Sequence, residues 1–331
     1  MTRLVIDASI AGATVGADPA EGLGLLLALL DPDVRLEGII LTGGDLHIKA
    51  AQVRKLFEVA GRSVPLALGA THDLLGRASR DASLRPPTAN FVSGHRSIGG
   101  LPNALELLQE VTAQGEGTVS LMVLGRATTT ALALLAAPRL ILGLNRVYLC
   151  GCSVGFPLRE QQDGADAHAV ATVIRLAGDR VILHDPGPPP GVSIPRRQFE
   201  CSRESDTSSL FEFVSEYSES WLTYYERSEL PLAAALPVIG AAHPSIRTIQ
   251  RRRYALDPCC RSYSEMILPA QEGVGAPRVS PPGLLVSLDT MTDYDPEGCI
   301  GFVESVLDFP PLPPPEDEPA SALPSPRPPI R

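Results

Sequence analysis

The chain has 331 residues, 44% of them hydrophobic, enough to bury one large core or two modest ones. A formal net charge of −10 and an isoelectric point near 5.1 argue against nucleic acid or an anionic membrane as the main partner. There is no basic-then-apolar leader and no apolar run long enough to span a bilayer, and the few cysteines, two of them adjacent (Cys259, Cys260), fit reduced thiols in a cytoplasm.

In chain order, short apolar runs predict strands at 3–7, 34–42, 64–68, 118–124, 146–151 and 179–184. Longer amphipathic runs predict helices at 20–30, 46–60, 101–113, 128–136 and 164–177. Alternation with short connections points to an α/β fold: a mainly parallel open sheet flanked by helices, in a single domain over residues 1–309. The proline cluster at 185–197 reads as a loop, and 207–225, rich in Phe, Trp and Tyr, as a helix that either covers a cleft or packs inward. A helix is expected at 231–241, a loop at 254–283, a strand at 284–291 and a closing helix at 298–309. Arg247, Arg251, Arg252, Arg253 and Arg261 read as a solvated turn. From Pro310 onward, ten of 22 residues are proline, so residues 310–331 read as a disordered or polyproline tail, solvated first of all, with a PxxP role toward a protein partner as the alternative.

The most informative stretch is 4–29, LVIDASIAGATVGADPAEGLGLLLAL. Leu4, Val5 and Ile6 end at Asp7, a small-residue loop follows, and Asp18 and Glu21 stand at the entry of an apolar helix. Open α/β sheets bind ligands at the carboxyl edge of such strands, and carboxylates clustered there suit a hard cation or a polyol. The same acids have plainer uses. Asp7 can accept loop N–H groups, Asp18 and Glu21 can cap their helix, and Asp45 can cap the helix at 46–60. No G-x-S-x-G elbow is present, which disfavours a Ser-His-Asp hydrolase.

This segment resembles the opening of the nucleoside hydrolases, calcium-dependent N-ribohydrolases whose signature runs hydrophobic strand, D-x-D, a Gly-containing turn, D-D, then A-x-A-L. Asp7 matches the first aspartate, and the second falls on Ser9. A longer form of the motif lies over GADPAEGLGL (16–25), where Asp18 and Glu21 match acids and Ala20 replaces one. Further matches follow in order. Asp45 falls on the asparagine of a Gly-Asn turn, and SGHRSIGGLP (93–102) is similar to a His-Gly-x-x-Gly-Leu-Gly-Gly loop, with Ser93 on the family's histidine. SLMVLGRATTTALAL (120–134) resembles the turn whose threonine carbonyl binds calcium, here Thr128. Glu160 and Gln162 fall on a ribose-binding Glu-x-Asn. SELPLAAAL (228–236) resembles a His-Asp-Pro-Leu-Ala helix start, with Glu229 on the histidine and Leu230 on the metal-binding aspartate.

The resemblance implies a nucleoside-hydrolase-like fold that cleaves the N-glycosidic bond of a ribonucleoside or modified nucleoside. It implies Ca2+ on Asp7, Asp18, Glu21 and Thr128, ribose on Asp45, Glu160, Gln162 and Glu229, catalysis by Asp7, and a homo-oligomer. Apart from the resemblance, His95 in the Gly-rich loop is the histidine best placed to serve as leaving-group acid. Such cleavage needs a stabilised ribosyl cation, a base for the attacking water and an acid for the departing base. Ser9 is no base near neutral pH. With Leu230 it removes two anionic groups from a metal that takes about six to eight oxygens. The alternative is an inactive relative that binds a ribosyl ligand or a protein.

Overall fold

In the computed structural model the described residues are 1–10, 19–78, 89–94, 97–150, 166–184, 191–200, 208–232, 235–256, 267–269 and 284–310. The first half alternates strand and helix: β1 (Thr2–Ala8), α1 (Ala20–Leu30), β2 (Val34–Leu41), α2 (Leu46–Ala60), β3 (Leu66–Leu68), α3 (Ala104–Thr112), β4 (Val119–Val123) and α4 (Thr128–Ala136). A short α5 (Leu140–Gly143) leads into β5 (Leu144–Cys150), followed by α6 (Ala167–Ala177) and β6 (Val181–His184). The second half holds β7 (Ser193–Pro195), α7 (Arg196–Glu200), α8 (Ser209–Tyr224), β8 (Glu229–Pro231), α9 (Leu236–Ala242), β9 (Thr248–Leu256), β10 (Ile267–Pro269), β11 (Leu284–Thr292) and α10 (Pro296–Val306).

Among the described residues nine strands form one sheet in the order β10-β9-β11-β6-β5-β4-β1-β2-β3, with β7 and β8 paired separately. Pairing is parallel from β11 through to β3, and β9 runs antiparallel to both its neighbours. The mainly parallel α/β sheet flanked by helices is therefore the observed fold. Its strands are apolar on both faces because helices cover both. Leu4, Ile6 and Ala8 of β1 join one apolar layer with residues of α1, α2, α8 and α9, whereas Val5 joins the other with α3, α4 and α6. The two-residue period of a strand puts Asp7 on the Val5 side, facing the α4 layer.

Strand order places the site. The chain leaves β1 for β2 and β3 on one side, then returns as β4 on the other side of β1. Between β1 and β4 the order reverses, the switch point where open α/β sheets form a crevice at their carboxyl ends.

Most of the expected helices hold to within a few residues, for local reasons. Asp45 accepts the His47 and Ile48 N–H groups at the start of α2, and Gly61 closes that helix in the left-handed conformation at φ 63°. Asn103 and Glu106 form a reciprocal capping box on α3. The aromatic helix α8 packs inward. Phe213 stacks on Tyr217 at 5.6 Å, Phe91 meets Phe213 edge-on at 5.6 Å, and Trp221 is fully buried.

Four expectations change. The loop at 185–197 contains β7 and the start of α7, and the helix at 231–241 divides into strand β8 and the shorter α9. The loop at 254–283 contains the end of β9 and all of β10. Arg251, Arg252 and Arg253 lie on strand β9, not in a turn, with Arg251 bound to Asp179 and Asp289; Arg261 lies outside the described residues. The tail beyond Pro310 also lies outside them. Cys150 and Cys299 are buried thiols, and burial pushes Cys299 up to about 11. Among the described residues, no helix is long and apolar enough to cross a membrane.

Candidate ligand site at the carboxyl edge

Asp7 is the only acid of β1, at its carboxyl end, and is fully buried. Its carbonyl accepts the Leu124 and Gly125 N–H groups at 2.9 and 3.2 Å, locking the end of β1 to the turn after β4. Gly125 permits that approach, because a Cβ there would stand 2.8 Å from the Ser9 nitrogen. On the side chain, Oδ2 accepts the Thr130 hydroxyl at 2.9 Å, while Oδ1 is buried with no hydrogen-bond partner. Burial foremost, with the Glu21 charge adding to it, raises the Asp7 carboxyl to about 8 against the pull of the Thr130 hydrogen bonds.

Glu21 reaches back from the first turn of α1. Its Oε2 accepts the Ser9 N–H at 2.7 Å, so it fastens the β1 loop, while Pro19 occupies the helix cap without a side-chain bond. From the other side comes Lys49 of α2. Its Nζ donates to the Ser9 hydroxyl and the Ile10 carbonyl, both at 3.0 Å, and the residue is only 3% exposed. Glu21 and Lys49 thus converge on Ser9, two residues beyond Asp7.

Three successive threonines at the start of α4 fan out to separate neighbours, as the helical rotation requires. Thr128 donates to Asp166 at 2.8 Å and Thr130 to Asp7. Thr129 lies 2.8 Å from the Thr42 hydroxyl and accepts the Ala70 N–H at 2.9 Å. Each hydroxyl has one proton, and Thr42 spends its own on the Ala70 carbonyl, so Thr129 donates to Thr42. Asp166, fully buried, accepts from Thr128, the Leu74 N–H at 2.7 Å and the Ala169 N–H at 3.1 Å, and caps α6. Asp166→Ala would strand three donors, an expected loss of about 3 kcal/mol read as a lower urea midpoint.

The other site residues named from sequence are spread differently. Asp45 is exposed and its carboxylate is engaged by the α2 cap. Glu229 is exposed on β8 and accepts the Ser193 hydroxyl at 2.7 Å. Leu230 pairs with Ile194 and is fully buried in the apolar layer. Asp18, His95, Glu160 and Gln162 lie outside the described residues. Sequence reasoning missed Lys49, Thr129, Thr130 and Asp166. Lys49 was detectable, since it falls on the same helical face as Val53 and Leu56.

Calcium is a poor match to the donors described. Among the described residues no third acid, histidine or cysteine gathers with Asp7 and Glu21 closely enough to hold an ion. The Glu21 oxygen holds Ser9, and as the first residue of α4 Thr128 directs its carbonyl along the helix. An ammonium sits 3.0 Å from the Ser9 hydroxyl, where a divalent ion would be repelled. A separate group of ligand-type side chains lies at the opposite, amino edge of the sheet. There Asp31 accepts the Asp33 N–H at 2.8 Å and meets His243 Nε2 at 2.7 Å, which ties the end of α1 to the end of α9.

The family model for inosine-uridine preferring nucleoside hydrolases matches residues 15–266. The fold is similar to that of a plant nucleoside hydrolase, with a TM-score of 0.73 and 15% identity over 93% of this chain and 99% of that one. It is similar to an inosine-guanosine nucleoside hydrolase, with a TM-score of 0.72 and 15% identity over 94% of this chain and 100% of that one. A purine-preferring ribonucleoside hydrolase from Gardnerella vaginalis gives a TM-score of 0.69 and 14% identity over 92% and 98% of the two chains. No curated protein matches the chain.

Proposed function

Because the chain belongs to the inosine-uridine preferring nucleoside hydrolase family, we infer that it binds a ribonucleoside or another N-ribosyl small molecule at the carboxyl edge between β1 and β4, without the family's calcium-dependent hydrolysis. The observation that carries this reading is the Asp7 carboxyl, held at the switch point with one oxygen lacking a partner. A sugar hydroxyl reaching that oxygen would satisfy it, and Ser9 and Glu21, both half-buried, supply polar groups in the loop that follows Asp7.

Loss of the metal-dependent reaction follows from chemistry. Ser9 stands where the family has the acid that activates water, and its hydroxyl is engaged by the Lys49 ammonium. Calorimetric titration of inosine and of ribose into the full chain is expected to show binding that weakens at least about tenfold in Asp7→Ala, the scale of a lost hydrogen bond to a buried polar group. Heat-silent titrations with both ligands would overturn the reading.

A second reading, slow hydrolysis without a metal, draws on the raised Asp7 carboxyl. At neutral pH it holds a proton that it could pass to a departing base. Base release by metal-stripped protein, falling as pH rises through about 8, would favour this second reading.

A further inference from the structure

We propose that the Lys49 ammonium takes the place of the metal ion at the β1 loop, so that this edge of the protein is organised by a built-in cation and does not bind calcium. Lys49 was not among the candidate residues read from sequence. Three features carry the inference.

The first is position. A lysine on the apolar face of α2, 3% exposed, is costly unless its charge is used. Here Nζ bonds Ser9 Oγ and the Ile10 carbonyl, both at 3.0 Å, in the loop that directly follows Asp7. The second is that oxygens a metal would use are turned to this cation instead. A hydroxyl and a main-chain carbonyl are ordinary ligands of a hard ion, and both face the ammonium. The third is charge balance. Glu21, whose charge is felt at Asp7, fastens the same Ser9 from the other side, so a carboxylate and an ammonium meet on one residue. A compact ammonium with three donors reproduces part of what a cation does for such a loop: it neutralises charge and orients oxygens. It does so permanently, and it repels a second cation.

The inference deepens the calcium half of the proposed function, which rests on the same Lys49–Ser9 contact, and is independent of its ribosyl half. Failed ribose titrations would leave it untouched, because its readout is the response of the chain to a cation.

The test is calcium titration of the metal-stripped full chain, followed by calorimetry and thermal melting, in the wild type and in Lys49→Met. The wild type should give no binding heat at millimolar calcium and a melting temperature shifted by less than about 1 °C. Lys49→Met should melt lower without metal, then gain about 2 °C at 5 mM calcium, as expected if the Ser9 hydroxyl, the Ile10 carbonyl and Glu21 take up an ion weakly once the ammonium is gone, with an affinity of roughly 0.5 mM. A purely structural lysine would lower the melting temperature without creating that response. Lys49→Gln, which keeps a donor for Ser9 and removes only the charge, replaces the methionine variant if that one does not fold. Calcium binding to the wild type tighter than about 100 μM, or a neutral variant no more responsive than the wild type, overturns the proposal.

Discussion

Replacing Leu230 with aspartate, the residue the family has there, should unfold the protein and not rebuild a metal site. Leu230 is fully buried, pairs with Ile194 across the β7–β8 ribbon, and belongs to the apolar layer shared with α1, α8 and α9. The substitution forfeits the burial of a leucine side chain, about 2 kcal/mol. It also places an unpaired carboxylate among hydrocarbon groups, which costs several kcal/mol more or forces protonation. Together the loss is on the order of 5 kcal/mol, comparable to the whole stability of many domains. Circular dichroism melts should show Leu230→Asp largely unfolded or insoluble at 25 °C. Leu230→Met, which conserves volume, should stay within about 1.5 kcal/mol of the wild type. A Leu230→Asp protein that melted like the wild type and bound calcium would mean that this side chain faces the ligand edge.

That expectation shows where sequence comparison and physical structure part. An alignment puts Leu230 on a metal ligand at a helix start, but the residue lies on a short strand, and the helix begins only at Leu236. The substitution matches a local change in backbone: a residue facing apolar neighbours needs no charge. The first half of the fold was legible because β1, β2, β4, β5 and β6 each carry an apolar run (LVI, GIIL, LMV, VYLC and VIL) that is buried on both faces. β9 was not, because TIQRRRYAL carries no apolar period. Its nine-residue ladder with β11 and the buried Tyr254 hold it, along with the Arg251 ion pairs. Backbone pairing of that kind leaves little trace in side-chain pattern.

The site was legible to a similar degree and for similar reasons. Asp7 could be placed because a strand followed by a small-residue loop fixes a carboxyl edge. Asp45 could be recognised as a cap because its partners are two and three residues away. The partnerships that define the site span larger separations: Ser9 with Glu21, Lys49 with Ser9, Thr130 with Asp7, and Asp166 with Thr128 and Leu74. None has a local signature. Only an anomaly of position, such as a lysine on an apolar helical face or a run of three threonines at a helix start, points to them.

Asp7→Asn should make the protein more stable at alkaline pH while leaving it no better at pH 4. The carboxyl is fully buried, and burial raises it from 3.8 to about 8. In the unfolded chain it ionises near 3.8, so between roughly pH 4 and 8 the folded state holds a proton that the unfolded state has released. Stability from this group is therefore fully present below pH 4 and is lost as pH rises, by up to about 1.4 kcal/mol per pH unit, until the folded carboxyl also ionises. Over the window the loss is on the order of 5 kcal/mol, and above about pH 8 it is complete. Asparagine keeps the carbonyl oxygen for the Thr130 hydroxyl and has no charge to bury. Its amide must still find an acceptor where Oδ1 has no partner, so at pH 4 the variant should equal the wild type or fall below it. Urea unfolding of both proteins from pH 4 to 9 gives the difference directly. Curves that diverge with rising pH in favour of Asp7→Asn are expected. Parallel curves would mean that Asp7 is ionised throughout and that a cation, from the solvent or from the chain, compensates it.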